Sequence, residues 1–210
     1  MNFRPSKMRV LQWLPDAVVC TRASARNKAL YLSFDDGPDP RFTPALLDLL
    51  KAHGAHASFF LIGREVEKYP ELVERMVAEG HLVGNHSFSH PRFNLLSMAD
   101  KLAEIDRTDQ LLARFDGVRH HRFRPPRGVF SLALTLRFAA ARRNLAYWSY
   151  DSLDYQRKPP AELIELLRKQ PPRAGDILLM HDDSDCSTLM LATLIPEWKA
   201  QGFTFAALSA

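Results

Sequence analysis

A chain of 210 residues, 46% hydrophobic and 25% charged, is long enough to bury one sizeable core and too apolar for a disordered or collagen-like polymer. Its net charge of +4 arises at one end: of 28 bases and 24 acids, Arg4, Lys7, Arg9, Arg22, Arg26, Lys28 and the single acid Asp16 lie in residues 1–28, leaving 22 and 23 to the rest. A near-neutral body argues against a nucleic-acid groove, and Cys20 and Cys186 are too few for a disulfide framework.

Residues 1–28 read as a basic N-terminal segment ahead of one domain over 29–210. The apolar stretch Val10–Cys20 is interrupted by Gln12, Pro15 and Asp16, so it makes a poor secretory signal, and no apolar run is long enough to span a bilayer. A solvated basic tail is the plain expectation. Contact with an anionic membrane surface is the functional alternative, since each basic group there contributes about 1 kcal/mol. The protein is expected in the cytoplasm, with the inner face of the membrane as the place of the alternative reading.

Ala29–Phe34 predicts the first strand of the body. Thr43–His53 predicts a helix, with Thr43 as cap, Pro44 in the first turn and Gly54 beyond the end. Ala57–Ile62 is the next strand, Pro70–Glu79 a helix, and His81–Gly84 a short strand. Ser97–Phe115 reads as a long helix whose Ser97 and Asp100 resemble a capping box. A weak strand at His121–Arg124 precedes a helix over Ser131–Arg143. Then come strand Leu145–Tyr150, helix Pro160–Gln170, strand Asp176–Met180, helix Ser187–Ala200 with a break expected at Pro196, and strand Phe203–Leu208. Strands alternating with helices imply a parallel sheet, as a closed barrel or an open doubly wound sheet.

The polar clusters recur at one kind of place, the C-terminal end of a strand. Asp35 and Asp36 follow the first strand and His86 and His90 the third. Arg124 follows the fourth, Asp151 and Asp154 follow Leu145–Tyr150, and His181 follows Asp176–Met180. In a β/α barrel those ends converge on the face that carries active sites. His86 and His90, an i, i+4 pair on a helical turn, would present two imidazoles to a divalent metal. Asp35 and Asp36 project in different directions, so one can bind metal while the other faces a water. One Asp and two His leave a position open, as a hydrolytic site requires. Zinc suits these ligands, and cobalt, nickel or iron could take the same set.

Ser33-Phe34-Asp35-Asp36-Gly37-Pro38, His86-Ser87-Phe88-Ser89-His90, Arg124-Pro125-Pro126-Arg127-Gly128, Asp151-Ser152-Leu153-Asp154-Tyr155 and Leu179-Met180-His181 resemble, in order and spacing, the five motifs of the polysaccharide deacetylase (NodB-homology) family. The resemblance runs from about Leu30 to Leu208. It implies an α/β fold, a distorted (β/α) barrel with seven or eight strands, and a metal-dependent hydrolase that removes N-acetyl groups from amino sugars or their polymers. It also implies Asp36, His86 and His90 as metal ligands, Asp35 as general base and Arg124 as its holder. Asp154 would orient His181, the general acid. The backbone N–H of Arg127 would meet the oxyanion, and Leu179 would receive the acetyl methyl.

Arg127 stands where the family often has an aromatic, and Tyr155 where it usually has Trp. Both changes touch the groove wall and bear on the substrate. His53 and His56 read as helix-end residues, Asp182, Asp183 and Asp185 as loop acids, and Trp148 and Phe34 as core. His120, His121 and Asp151 could reach the site. The rival readings are a deacetylase of a lipid-linked or nucleotide-linked amino sugar or of a non-sugar amide, and a carbohydrate-binding module without turnover.

Overall fold

The computed structural model describes residues 3–156 and 158–209. At its centre is β2 (Ala29–Asp35), buried along its whole length. It lies parallel between β3 (Ala57–Leu61) and β7 (Ile177–His181), in a sheet of order β4-β3-β2-β7-β6, with β4 at Leu82–Asn85 and β6 at Tyr150–Asp151. β8 (Thr204–Phe205) pairs with the start of β2. A near-continuous apolar run such as ALYLSF is what a strand covered on both faces requires.

Shorter pieces complete the ring. Asn85 bridges Phe123, and Phe123 bridges Leu145. β5 (Leu145–Ala146) pairs in parallel with β1 (Val19–Cys20), and Arg22 bridges Asp176 at the foot of β7. The path thus returns to its start as a distorted barrel of eight strands among the described residues.

The period of two along each strand divides the core. Leu30, Leu32 and Phe34 of β2 and Leu178 and Met180 of β7 face outward onto helices. Tyr31 and Leu179 face the barrel interior. Full burial of an apolar side chain of this size stabilises by roughly 1.5–3 kcal/mol. The same alternation sends Asp35 and His181, at the ends of neighbouring strands, inward and level with each other, as their pairing register shows.

Several expectations are corrected. Thr43 is the first residue of α2 (Thr43–Ala52) rather than its cap; its Oγ1 accepts from Asp39 N and donates to Asp182. Leu145–Tyr150 is two strands, because the chain leaves β1 and joins β7 within it. His121–Arg124 shrinks to bridges at Phe123. A short helix at Gly63–Lys68 (α3) was not foreseen; α4 follows at Pro70–Ala78. Helix Cys186–Ala200 runs through Pro196, which lies with Ala192 on the exposed side of the helix. The capping expected at Ser97 holds: its Oγ accepts from Asp100 N at the start of α5 (Met98–Asp116).

The largest correction concerns the basic segment. Phe3, Met8, Leu11, Val19 and Cys20 are buried, Phe3 stacks on Tyr150, and Arg4 donates to the buried Asp176. A solvated tail is therefore not what residues 3–28 form. They supply α1 (Ser6–Leu11) and β1, the strand beside β5. The sequence signal lay in the apolar residues between the bases, which no tail needs.

Candidate active site

The rim at the C-terminal strand ends gathers the expected side chains. Asp36 Oδ1 lies 3.5 Å from His86 Nε2 and 3.4 Å from His90 Nε2, and one ligand atom from each residue falls within 4.8 Å of the others. Asp36 Oδ1 is buried and has no hydrogen-bond donor among the described residues. An orphaned carboxylate oxygen facing two imidazole nitrogens fits a divalent cation, which would satisfy all three. His86 Nδ1 donates to the carbonyl of Arg124 at 2.7 Å, which leaves Nε2 as the lone-pair nitrogen. Burial holds the His86 pKa down to about 3, so the ring is neutral, as a ligand must be.

His86 and His90 do not occupy a helical turn. They sit on an irregular loop after β4 in which Ser87 and His90 have φ of 69° and 53°. Polar anchors hold the loop: Ser87 N donates to Asn85 Oδ1, His90 N to Ser87 Oγ, and Ser89 to Glu104. Asn85 is itself fixed, donating to Asp109 and to the carbonyl of Ile105 on α5. Of eight described non-glycine residues with positive φ, Asp36, Ser87, His90, Arg127 and Leu153 lie on loops of this rim. Such backbone is costly and persists where the surroundings fix it, and its concentration here marks a functional site.

Asp35 lies beside the ligand set. Its Oδ1 accepts from Arg124 Nη1 at 2.7 Å, while Oδ2 faces His86 Nε2 at 3.8 Å. Burial raises the pKa of Asp35 and the Arg124 guanidinium opposes the rise. Arg124 is fully buried and well supplied with acceptors. It donates to Ser33 Oγ and to the carbonyl of Tyr147, close to where β5 and β6 part.

On the other flank His181 Nδ1 meets Asp154 Oδ1 at 2.9 Å. Asp154 Oδ2 accepts from the backbone N of His181 and from Ser187 Oγ, both at 2.6 Å. Burial alone would lower the His181 pKa, but the hydrogen bond and charge of Asp154 outweigh it and raise it to about 10. Burial likewise pushes Asp154 up, and its hydrogen bonds overcome that and hold it low.

The remaining candidates divide. Tyr155 is half exposed and meets the His181 ring edge-on at 5.7 Å. Leu179 lies buried below His181 on the same face of β7. Arg127 sits in the turn after Arg124 with φ 56° and its side chain in solvent. Asp151 is buried and accepts from Leu153 N; burial raises its pKa to about 6.

His120 and His121 are not part of the site. His121 pairs with Asp116 and Asp109 in a pocket shared with His81, at the opposite ends of the strands. Asp182 is a loop acid outside the ligand set, as expected, but a buried one. Its carboxylate packs on Gly37, where any Cβ would clash with it. Asn85 and Ser187 escaped the sequence reading, and Ser33 and Ser87 stood in it only as motif members without a role. Their signal was a polar residue inside an apolar run or next to a motif.

Two clefts meet at the ligand set. One of about 650 Å³ is lined by Arg41, Arg64, Tyr69 and His90, and one of about 470 Å³ by Asp154, Tyr155, Lys158 and His181; Asp36 and Asp183 border both.

A metal triad between a carboxylate–guanidinium pair and a carboxylate–imidazole pair, open on both sides, is the site of a metal-dependent hydrolase. The family model described as polysaccharide deacetylase matches residues 22–147, and the chain belongs to that family. A peptidoglycan-N-acetylglucosamine deacetylase of Bacillus cereus is 35% identical over 189 residues, covering 87% of this chain and 68% of the relative. A chitooligosaccharide deacetylase of Sinorhizobium fredii is 32% identical over 198 residues, covering 87% and 91%. The Bc1960 peptidoglycan N-acetylglucosamine deacetylase, solved in complex with 4-naphthalen-1-yl-N-oxidanyl-benzamide, superposes with a TM-score of 0.87 at 29% identity and covers 94% of each chain.

Proposed function

We propose that the chain hydrolyses the N-acetyl groups of amino-sugar units in a glycan of the peptidoglycan or chitooligosaccharide class. The observation that carries this reading is the convergence of Asp35–Arg124 and His181–Asp154 on opposite flanks of Asp36, His86 and His90. The kinship with named deacetylases supports the substrate class.

Asp36, His86 and His90 would hold the cation, with zinc the best match to two imidazoles and a carboxylate. When bound, the cation would supply Lewis acidity to the acetyl carbonyl and to a water. Asp35 then takes the water's proton at Oδ2, since Arg124 occupies Oδ1. The raised basicity that burial gives Asp35 suits a base working near neutral pH. His181, protonated through Asp154, donates from its other ring nitrogen to the departing amine, which cannot leave as an anion. The backbone N–H of Arg127 steadies the oxyanion, and Leu179 receives the methyl.

Acetate release from short N-acetylglucosamine oligomers tests the reading. Turnover should vanish with a chelator and return with added zinc, cobalt or nickel. Binding of the oligomers without acetate under any of these metals would instead make the chain a carbohydrate-binding module.

The exposed guanidinium of Arg127 also sets an expectation for specificity, because it pairs with carboxylate or phosphate in a fork. Arg127→Ala should lower kcat/KM for substrates bearing an anionic group by about 1.5- to 5-fold relative to neutral ones, as loss of an exposed charge pair does. An unchanged ratio between neutral and anionic substrates would remove Arg127 from recognition.

A further inference from the structure

The chain's charge is divided by region. Residues 117–150 hold seven arginines and no acid. Together with residues 1–28 they carry thirteen bases against Asp16 alone; of these bases Arg4 and Arg22 pair with Asp176, Arg124 with Asp35 and Arg143 with Asp109, and the rest of the chain holds 15 bases and 23 acids. The two regions form one side of the barrel. β1 pairs with β5, and Asn144 donates to the carbonyl of Asp16. Met8 and Leu11 of α1 enter the same hydrophobic cluster as Leu134 and Phe138 of α6 (Leu132–Ala140).

Outward, this side is apolar where a soluble surface should be polar. Trp13 is 89% exposed and Val10 68%; on α6, Leu132 is 61% and Leu136 62% exposed. Leu132 and Leu136 stand one helical turn apart, with Arg137 and Arg142 exposed beside them. The inner faces of both helices are already buried, so the core does not explain these outer residues. The proposed glycan chemistry does not use them either. An exposed tryptophan and leucines set among arginines match the interface of an anionic bilayer, where the indole lies at headgroup depth and the bases meet lipid phosphates.

We propose that α1 with Trp13, together with the outer face of α6, docks the enzyme on an anionic phospholipid bilayer. The acidic remainder of the chain is repelled by the same surface, so charge sets the orientation as well as the affinity.

Flotation of the full chain with phosphatidylcholine vesicles containing roughly one-third phosphatidylglycerol tests this. Binding should weaken about tenfold on phosphatidylcholine alone and in high salt. The double variant Trp13→Ser, Leu136→Ser should bind about tenfold more weakly, with acetate release from a soluble oligomer and the melting temperature unchanged. In the wild type, brominated lipid should quench tryptophan fluorescence, and the signal belongs to Trp13 because Trp148 and Trp198 are buried. Three results would overturn the proposal. One is absence of vesicle binding. Another is equal capture by a soluble polyanion without quenching. The third is a dimer, seen in sedimentation, that buries Trp13 and is lost in the variant.

Discussion

Asp35→Asn should lower kcat by about 10²- to 10⁴-fold, the usual worth of a general base, while zinc affinity stays close to that of the wild type. The asymmetry follows from geometry. Asp36 carries the orphaned oxygen between the two imidazoles, whereas the Oδ1 of Asp35 is already taken by Arg124. Asp36→Asn should therefore lose zinc, and Asp35→Asn should not. The Asp35 variant has a second signature. It leaves the guanidinium of Arg124 fully buried without its counter-charge, which costs about 3–5 kcal/mol in comparable pairs. A lowered melting temperature with intact zinc binding and almost no acetate release is the expected combination. If zinc affinity fell as far in Asp35→Asn as in Asp36→Asn, Asp35 would be a ligand and the assignment of the base would fail.

What the sequence made legible was the part of the site carried by side chains at strand ends. Asp35, Asp36, Arg124, Asp154 and His181 each come at or soon after the C-terminal end of a strand, and in a parallel barrel those ends converge on one face. What stayed hidden depends on contacts between distant segments. Spacing alone gave His86 and His90 a helical turn. The structure holds them on a strained loop, because Asn85 and Glu104 replace the anchoring that helix hydrogen bonds would provide. Cys20 beside Ala146 and Arg4 beside Asp176 are pairings over more than a hundred residues, so the basic segment read locally as a tail. Asp182 looked like one of three loop acids; only Gly37 and Thr43, far away in sequence, reveal its buried position.

Asp154→Asn should reduce kcat/KM at pH 8 by about 10²- to 10³-fold and move the alkaline limb of its pH profile downward, without loss of zinc. Burial is the largest influence on His181 and acts to lower its pKa; the Asp154 hydrogen bond and charge raise it to about 10 in spite of that. Removing the charge leaves burial opposed only by the smaller pull of Asp35 and Asp36, so the imidazole becomes neutral at a pH where the wild type still holds its proton. The stability linkage runs the same way. A histidine whose folded pKa exceeds its ordinary 6.5 contributes fully below that value and loses its contribution as pH rises through about 10. Asp154, held below its ordinary 3.8, contributes above that value and loses its share as pH falls through its lowered pKa. The wild-type pair therefore stabilises the fold across the neutral range, and the variant should show a flatter dependence of melting temperature on pH between those limits. Ser187→Ala separates charge from support: it removes one donor to Asp154 but keeps the carboxylate. It should shift the alkaline limb only slightly. If Asp154→Asn retained the wild-type alkaline limb, the proton given to the leaving amine would not come from His181.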